Sequence, residues 1–139
     1  MPTTRSASVE LVERAYFGRV IDPDVDGLLA LFAEDATITV LHGDDPARVY
    51  RSRPAEGEQP LRGYFDTVFA TFAVEGYDRF DHVVDLEAGR HACTFAVRLT
   101  GRPGTEIAGQ RLTLRNCNVF RFRGDLIEDV LIYYANPGD

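Results

Sequence analysis

Residues 112–134 read LTLRNCNVFRFRGDLIEDVLIYY. Leu112, Leu114, Asn116, Asn118, Phe120 and Phe122 alternate with Thr113, Arg115, Cys117, Val119, Arg121 and Arg123. A period of two marks a strand whose two faces differ. One face is apolar except for two successive amides, and the other is rich in arginine. Gly124-Asp125 turns the chain, and 126–134 returns as a final strand. Plain alternation there puts Asp129, Leu131 and Tyr133 in one row.

The same rhythm precedes this hairpin. His91, Cys93, Phe95, Val97 and Leu99 form one apolar row, and Phe80, His82, Val84 and Leu86 form another. Residues 87–90 join them, which sets His82 opposite Phe95 if the hairpin is symmetrical. Further back, Leu61, Phe65, Val68, Phe69 and Phe72 recur at helical steps. Residues 42–60 carry Gly, Pro and charge around a strand-like piece, 48–51, and read as a hairpin or flap. Residues 36–41, ATITVL, are β-branched and read as a strand. Val25, Leu28, Leu29 and Phe32 give a short helix, with Asp22 as its cap and Pro23 at its first position. Val9, Val12, Tyr16 and Val20 mark a first helix ending near Ile21. Residues 1–7 are polar and expected to fray.

The order is helix, helix, strand, helix, then a four-strand meander. No internal repeat or linker appears, so residues 1–139 read as a single domain. The class is α+β: a curved antiparallel sheet wrapped around N-terminal helices, leaving a conical cavity. The apolar rows should face that cavity, so Phe80, Phe95, Val97, Phe120 and Leu131 are expected to point inward. Arg98, Arg115 and Arg121 fall on the outer face with Ala96, Cys117 and Val119. That basic, partly apolar row is expected to pair two copies as a homodimer.

Bulk properties narrow the function. The chain has 139 residues, 45% hydrophobic and 27% charged, enough for one core burying roughly 68% of the unfolded surface. A net charge of −7 opposes nucleic acid, whose phosphates need a basic surface, and an anionic membrane. Cys93 and Cys117 sit in apolar runs, with no metal-ligand spacing around them. No leader pattern opens the sequence and no apolar run reaches a membrane span. The expected setting is the cytoplasm. No glycine-rich phosphate loop or paired-histidine helix is present, so no cofactor or metal is expected.

Residues 16–37, YFGRVIDPDVDGLLALFAEDAT, resemble the opening of ketosteroid isomerases, SnoaL-like polyketide cyclases and limonene epoxide hydrolases. In those families a helix-one aromatic precedes a short aspartate-capped helix and a Phe-Ala-x-Asp-Ala-Thr-like turn. Residues 119–129, VFRFRGDLIED, resemble the Phe-x-Phe, glycine turn and last strand of the same nuclear transport factor 2-like superfamily, and 63–72 fits its third helix. The resemblance implies the cone fold and a pocket for a small hydrophobic molecule. It does not fix the reaction, since this fold hosts many.

The polar residues of those families map unevenly. The epoxide-hydrolase tyrosine, asparagine and last-strand aspartate fall on Ile38, Val40 and Leu131. The SnoaL-type acid also falls on Leu131, and the steroid isomerase's proton-shuttling aspartate on Val40. Tyr16 matches the isomerase's oxyanion tyrosine without a gap through Phe32, and Asn118 matches the protonated aspartate beside it. An amide donates at every pH. A partial likeness to scytalone dehydratase places a histidine near His82 and an asparagine near Asn116, while its pocket tyrosines and their adjacent aspartate fall on Val20, Ile21 and Val40.

Each candidate also has a purely structural reading. Tyr16 is either an oxyanion donor or a core tyrosine tied to backbone. His82 is either a general base, suited by neutral imidazole near pH 7, or a core histidine serving a neighbour. Asn116 and Asn118 either face a ligand or pair structurally, with each other or across the sheet. Asp129 is a second base or the orienter of His82 if its row faces the cone, and otherwise a solvated strand start. Phe95, Val97, Phe120, Leu131, Tyr133 and Val40 are expected to shape the pocket wall. The resulting expectation is a cofactor-independent lyase or isomerase acting on a small hydrophobic carbonyl compound. Tyr16 and Asn118 would hold the oxyanion and His82 would move the proton. The alternatives are a non-catalytic binder using the same pocket, and a structural dimerisation module whose pocket is filled by side chains.

Overall fold

The computed structural model describes residues 2–134. Thr4 accepts a hydrogen bond from the Ala7 amide at 3.1 Å and starts α1 (Arg5–Glu10), so residues 5–7 are helical rather than frayed. The helix continues through a π-helical stretch, Leu11–Phe17, into α2 (Gly18–Ile21). A π turn closes on i→i+5 and is wider than an α turn. Adjacent Tyr16 and Phe17 lie within it, and both are buried against the sheet. Asp24, not Asp22, caps α3 (Val25–Leu29) by accepting from the Gly27 amide at 2.9 Å. Asp22 instead closes α2, because it and Pro23 form the link between the helices.

The strands are β1 (Phe32–His42), β2 (Arg48–Arg51), β3 (Gln59–Pro60), β4 (Phe72–Asp85), β5 (Arg90–Gly101), β6 (Arg111–Arg123) and β7 (Leu126–Tyr134), with α4 (Leu61–Thr71) between β3 and β4. They form one seven-stranded sheet in the order β3-β2-β1-β7-β6-β5-β4. The meander β4 to β7 and the β1·β2 pair are antiparallel, whereas β1·β7 and β2·β3 are parallel. The sheet is curved and unclosed, with the helices on its concave face. This is the expected α+β cone.

Residues 72–78 are strand although the sequence pattern hid them. Two irregularities in β4, at Val74/Gly76 and Asp78/Asp81, break the alternation, and Arg79 adopts φ 59° within the second. The β4–β5 turn pairs Asp85 with Arg90, so His82 faces Cys93 rather than Phe95.

A further irregularity, in β7, reverses a whole row. Arg121 pairs with Asp129 but Phe122 pairs with Ile127, leaving Glu128 as an extra residue in β7. A bulge of this kind shifts the phase of every residue on one side of it. Ile127, Val130 and Ile132 therefore point inward and are buried. Asp129, Leu131 and Tyr133 lie on the outer face, against expectation, and Tyr133 is 44% exposed. Phe95, Val97 and Phe120 point inward as expected, and Phe80 packs on the same core.

Candidate active site

The concave face of the sheet and the helices enclose a cavity of about 370 Å³. Tyr16, Phe17 and Val20 of the N-terminal helix form one wall, and Tyr64, Phe65 and Val68 of α4 another. The sheet contributes Val97, Leu99, Leu112, Leu114, Asn116 and Asn118. This size suits a small organic molecule, and such sites are mostly apolar with few polar groups. Half-exposed His42 and exposed Arg48 mark its opening to solvent.

Five of the six tyrosines, namely Tyr16, Tyr50, Tyr64, Tyr77 and Tyr134, line this one space. Burial pushes the Tyr16, Tyr64, Tyr77 and Tyr134 phenols up. They stay protonated and act as donors. Tyr64 and Tyr134 share a hydrogen bond at 3.2 Å between hydroxyls. No hydrogen bond ties the Tyr16 hydroxyl to backbone among the described residues. Its ring is instead held edge-on by Phe17 and Phe120, with centroids at 5.0 and 5.2 Å.

Asn116 and Asn118 follow each other on the inward row of β6. The Oδ1 atom of each is buried without a hydrogen-bond partner among the described residues. A buried polar atom left unpaired costs about 1–3 kcal/mol. Two such atoms on one cavity wall are a strong departure from the ordinary satisfaction of buried polar groups. They fit a ligand that brings donors.

Among the described residues no aspartate or glutamate lines the cavity, and His42 is the one imidazole there. His42 Nδ1 lies 3.8 Å from Asp45. The chain contains no lysine, so no side-chain amine can form a Schiff base with a carbonyl. Among the described residues no group of three His, Cys, Asp or Glu side chains could hold a metal ion.

The structure thus brings together Tyr16, Asn116, Asn118, Phe95 and Val97. It separates the others. Phe120 and Val40 are buried, but neither lines the cavity. Leu131, Tyr133 and Asp129 are turned outward by the β7 bulge. Tyr133 there borders a shallow hollow of about 420 Å³ with Arg115 and Cys117. Burial raises the pKa of Asp129, but it has no access to the cavity.

His82 points inward yet does not reach the cavity either. It sits near the end of the β4–β5 hairpin, beneath the N-terminal helix. Its Nε2 is 2.5 Å from Glu13 Oε2, and its Nδ1 is 2.8 Å from His91 Nε2. His91 Nδ1 in turn lies 2.6 Å from Ser8 Oγ. Burial, then the neighbouring His82 and Arg5, push the His91 pKa down to about 4. Neutral imidazole has one donor and one acceptor nitrogen. Ser8 can therefore donate to His91, His91 to His82 and His82 to the Glu13 carboxylate, with every group paired. His82 serves a neighbour here, the structural reading of that residue.

The sequence reading missed Tyr50, Tyr64, Tyr77, Tyr134, His42 and Arg48. The signal for Arg48 and Tyr50 was present, since they stand two apart in the strand-like piece 48–51 and so share a face.

The sequence pattern of the SnoaL-like domain family matches residues 13–130. No curated protein matches the chain in sequence. Several solved structures share its fold. SalBIII, an epoxide hydrolase/cyclase-like enzyme in pyran ring formation in the polyether salinomycin, is 21% identical, with 96% of this chain and 94% of that one covered and a TM-score of 0.70. AusH from Aspergillus nidulans is 15% identical over 99% of this chain and 89% of that one, with a TM-score of 0.71. A protein of unknown function with a cystatin-like fold from Methylobium petroleophilum PM1 is 21% identical over 99% and 82%, with a TM-score of 0.64.

Proposed function

The chain belongs to the SnoaL-like domain family, and from that premise we propose that its cavity carries out a cofactor-independent isomerisation, dehydration or cyclisation of a small hydrophobic carbonyl compound. The observation that carries this reading is the pair of unpartnered amide oxygens, on Asn116 and Asn118, in the wall of a cavity that also holds Tyr16. Tyr16 and Asn118 donate to the substrate carbonyl and stabilise the enolate charge that develops when a neighbouring proton leaves. The unpaired Asn oxygens favour a substrate that also bears a hydroxyl donor. A hydroxy-carbonyl compound is the natural reactant for loss of water or ring closure.

His82 is removed from the mechanism, because Glu13 and His91 occupy both its nitrogens. His42 at the mouth takes over the proton transfer, as the one imidazole against the cavity. This reading is tested by following loss of the α-protons of 2-tetralone in D2O by NMR. The wild type should exchange them faster than buffer. Tyr16→Phe and Asn118→Leu should each lower the rate constant by roughly 10²–10³, as loss of one oxyanion donor does. Exchange no faster than buffer with the ketone bound would leave the second reading, a non-catalytic binder of a small apolar ligand. The absence of any carboxylate from the lining favours that alternative.

We also propose a homodimer through the outer sheet face. Cys117, Val119 and Leu131 are only partly buried there, and Arg115 forms no ion pair among the described residues. Pairing such a face covers apolar area, while Arg98 and Arg121 already answer Asp78 and Glu128 within the chain. No helix among the described residues is long and apolar enough to cross a membrane.

A further inference from the structure

The mouth of the cavity differs in charge from its interior. In the β1·β2 pair, Ile38 faces Tyr50 and Val40 faces Arg48. Directly paired residues share a side of the sheet, so Arg48 stands on the same inward row as buried Ile38, Val40 and Tyr50. The parallel register sets His42 beside Tyr134, with ring centroids 5.8 Å apart. Arg48, His42, Tyr134 and Tyr64 thus gather at one end of the cavity.

Among the described residues, Arg48 is the only arginine that lines the cavity, and none of the lining residues is acidic. Asp45 lies 3.8 Å from His42 Nδ1, and Arg48 forms no ion pair among the described residues. Its charge is felt by the Tyr134 phenol, where it opposes the upward push of burial. The protein carries a net charge of −7, so a lone unpaired guanidinium at the lip of an apolar space runs against the general field. A guanidinium offers a planar fork that matches a carboxylate in two parallel hydrogen bonds. The apolar depth, the polar wall and the cationic lip describe a ligand with a matching order of groups.

Resting on the cavity as the binding site, we propose that the ligand is an amphipathic organic acid. Its carboxylate is held at the mouth by Arg48, and its oxygenated hydrophobic body lies against Tyr16, Asn116 and Asn118. Arg48 selects the acid over the corresponding ester or amide and fixes which end of the molecule enters first.

The probe pair is 1-naphthaleneacetate and 1-naphthaleneacetamide, of nearly equal shape and different charge. Titration calorimetry at low salt and pH 7.5 should show the acid binding the wild type about five- to tenfold more tightly, less than a buried charge-assisted hydrogen bond would give because Arg48 is exposed. Raising the salt should narrow that preference. In Arg48→Gln, acid and amide should bind within about twofold of each other. Leu114→Trp, which fills the cavity, should block both. Equal binding of acid and amide to the wild type, or an undiminished preference in Arg48→Gln, overturns the proposal and leaves the cavity reading intact. Binding of neither probe to the wild type, or binding that Leu114→Trp does not reduce, overturns the cavity reading and this proposal together.

Discussion

His82 Nε2 and Glu13 Oε2 lie 2.5 Å apart, joining β4 to the π-helical stretch of the N-terminal helix. The contact spends the histidine on architecture. Beyond it, His91 and Ser8 extend the bond chain into fully buried ground, each 0% exposed. Ser8→Ala would leave His91 Nδ1 without its donor and should cost about 1–3 kcal/mol, read from the urea midpoint. Activity per folded molecule should stay unchanged. A large kcat loss with stability intact would return His82 to the reaction.

The same network sets a pH dependence. His91 is pushed down to about 4 when folded, against about 6.5 for a free histidine. The unfolded chain therefore binds the extra proton first, and the stability from His91 is fully present above about pH 6.5. It is lost as pH falls toward about 4. Thermal melts should be flat above neutrality for this group and decline through that window. His91→Gln should be less stable at pH 7.5 and show a shallower decline. Parallel profiles for both proteins would contradict the assignment.

Asn116 and Asn118 give opposite signs for stability and function. Replacing an unpaired buried amide by Leu removes a desolvation penalty, so Asn118→Leu should raise stability by about 1 kcal/mol while lowering turnover. Loss of stability in that variant would mean the amide has a structural partner.

The outer face predicts assembly. Sedimentation at micromolar concentration should show a dimer, and Val119→Asp, which buries a charge in the contact, should yield monomer. A monomeric wild type would remove the proposal.

The cone was legible because amphipathic spacing survives in the helices and in β5 and β6. The rows of His91–Leu99 and Leu112–Phe122 hold as read, and with them Phe95, Val97, Asn116 and Asn118. What failed was phase. One extra residue, Glu128, turned Asp129, Leu131 and Tyr133 outward, and alternation alone carries no mark of a bulge. His82 failed for a different reason: its face was right, but distance along the strand decides whether a side chain meets the cavity or the covering helix. The strand-like piece 48–51 is β2 as expected, but alternation within four residues does not say which face meets the cavity, so Arg48 and Tyr50 did not stand out.

The central claim is that Tyr16 and Asn118 polarise a carbonyl inside the cavity, and infrared difference spectroscopy of bound 2-acetylnaphthalene reads this directly. Hydrogen bonds to the oxygen weaken the C=O bond, so its stretch in the wild type should fall below that in an apolar solvent. It should move back toward the solvent value in both Tyr16→Phe and Asn118→Leu. The same frequency in all three proteins, with the ketone bound in each, would contradict the account.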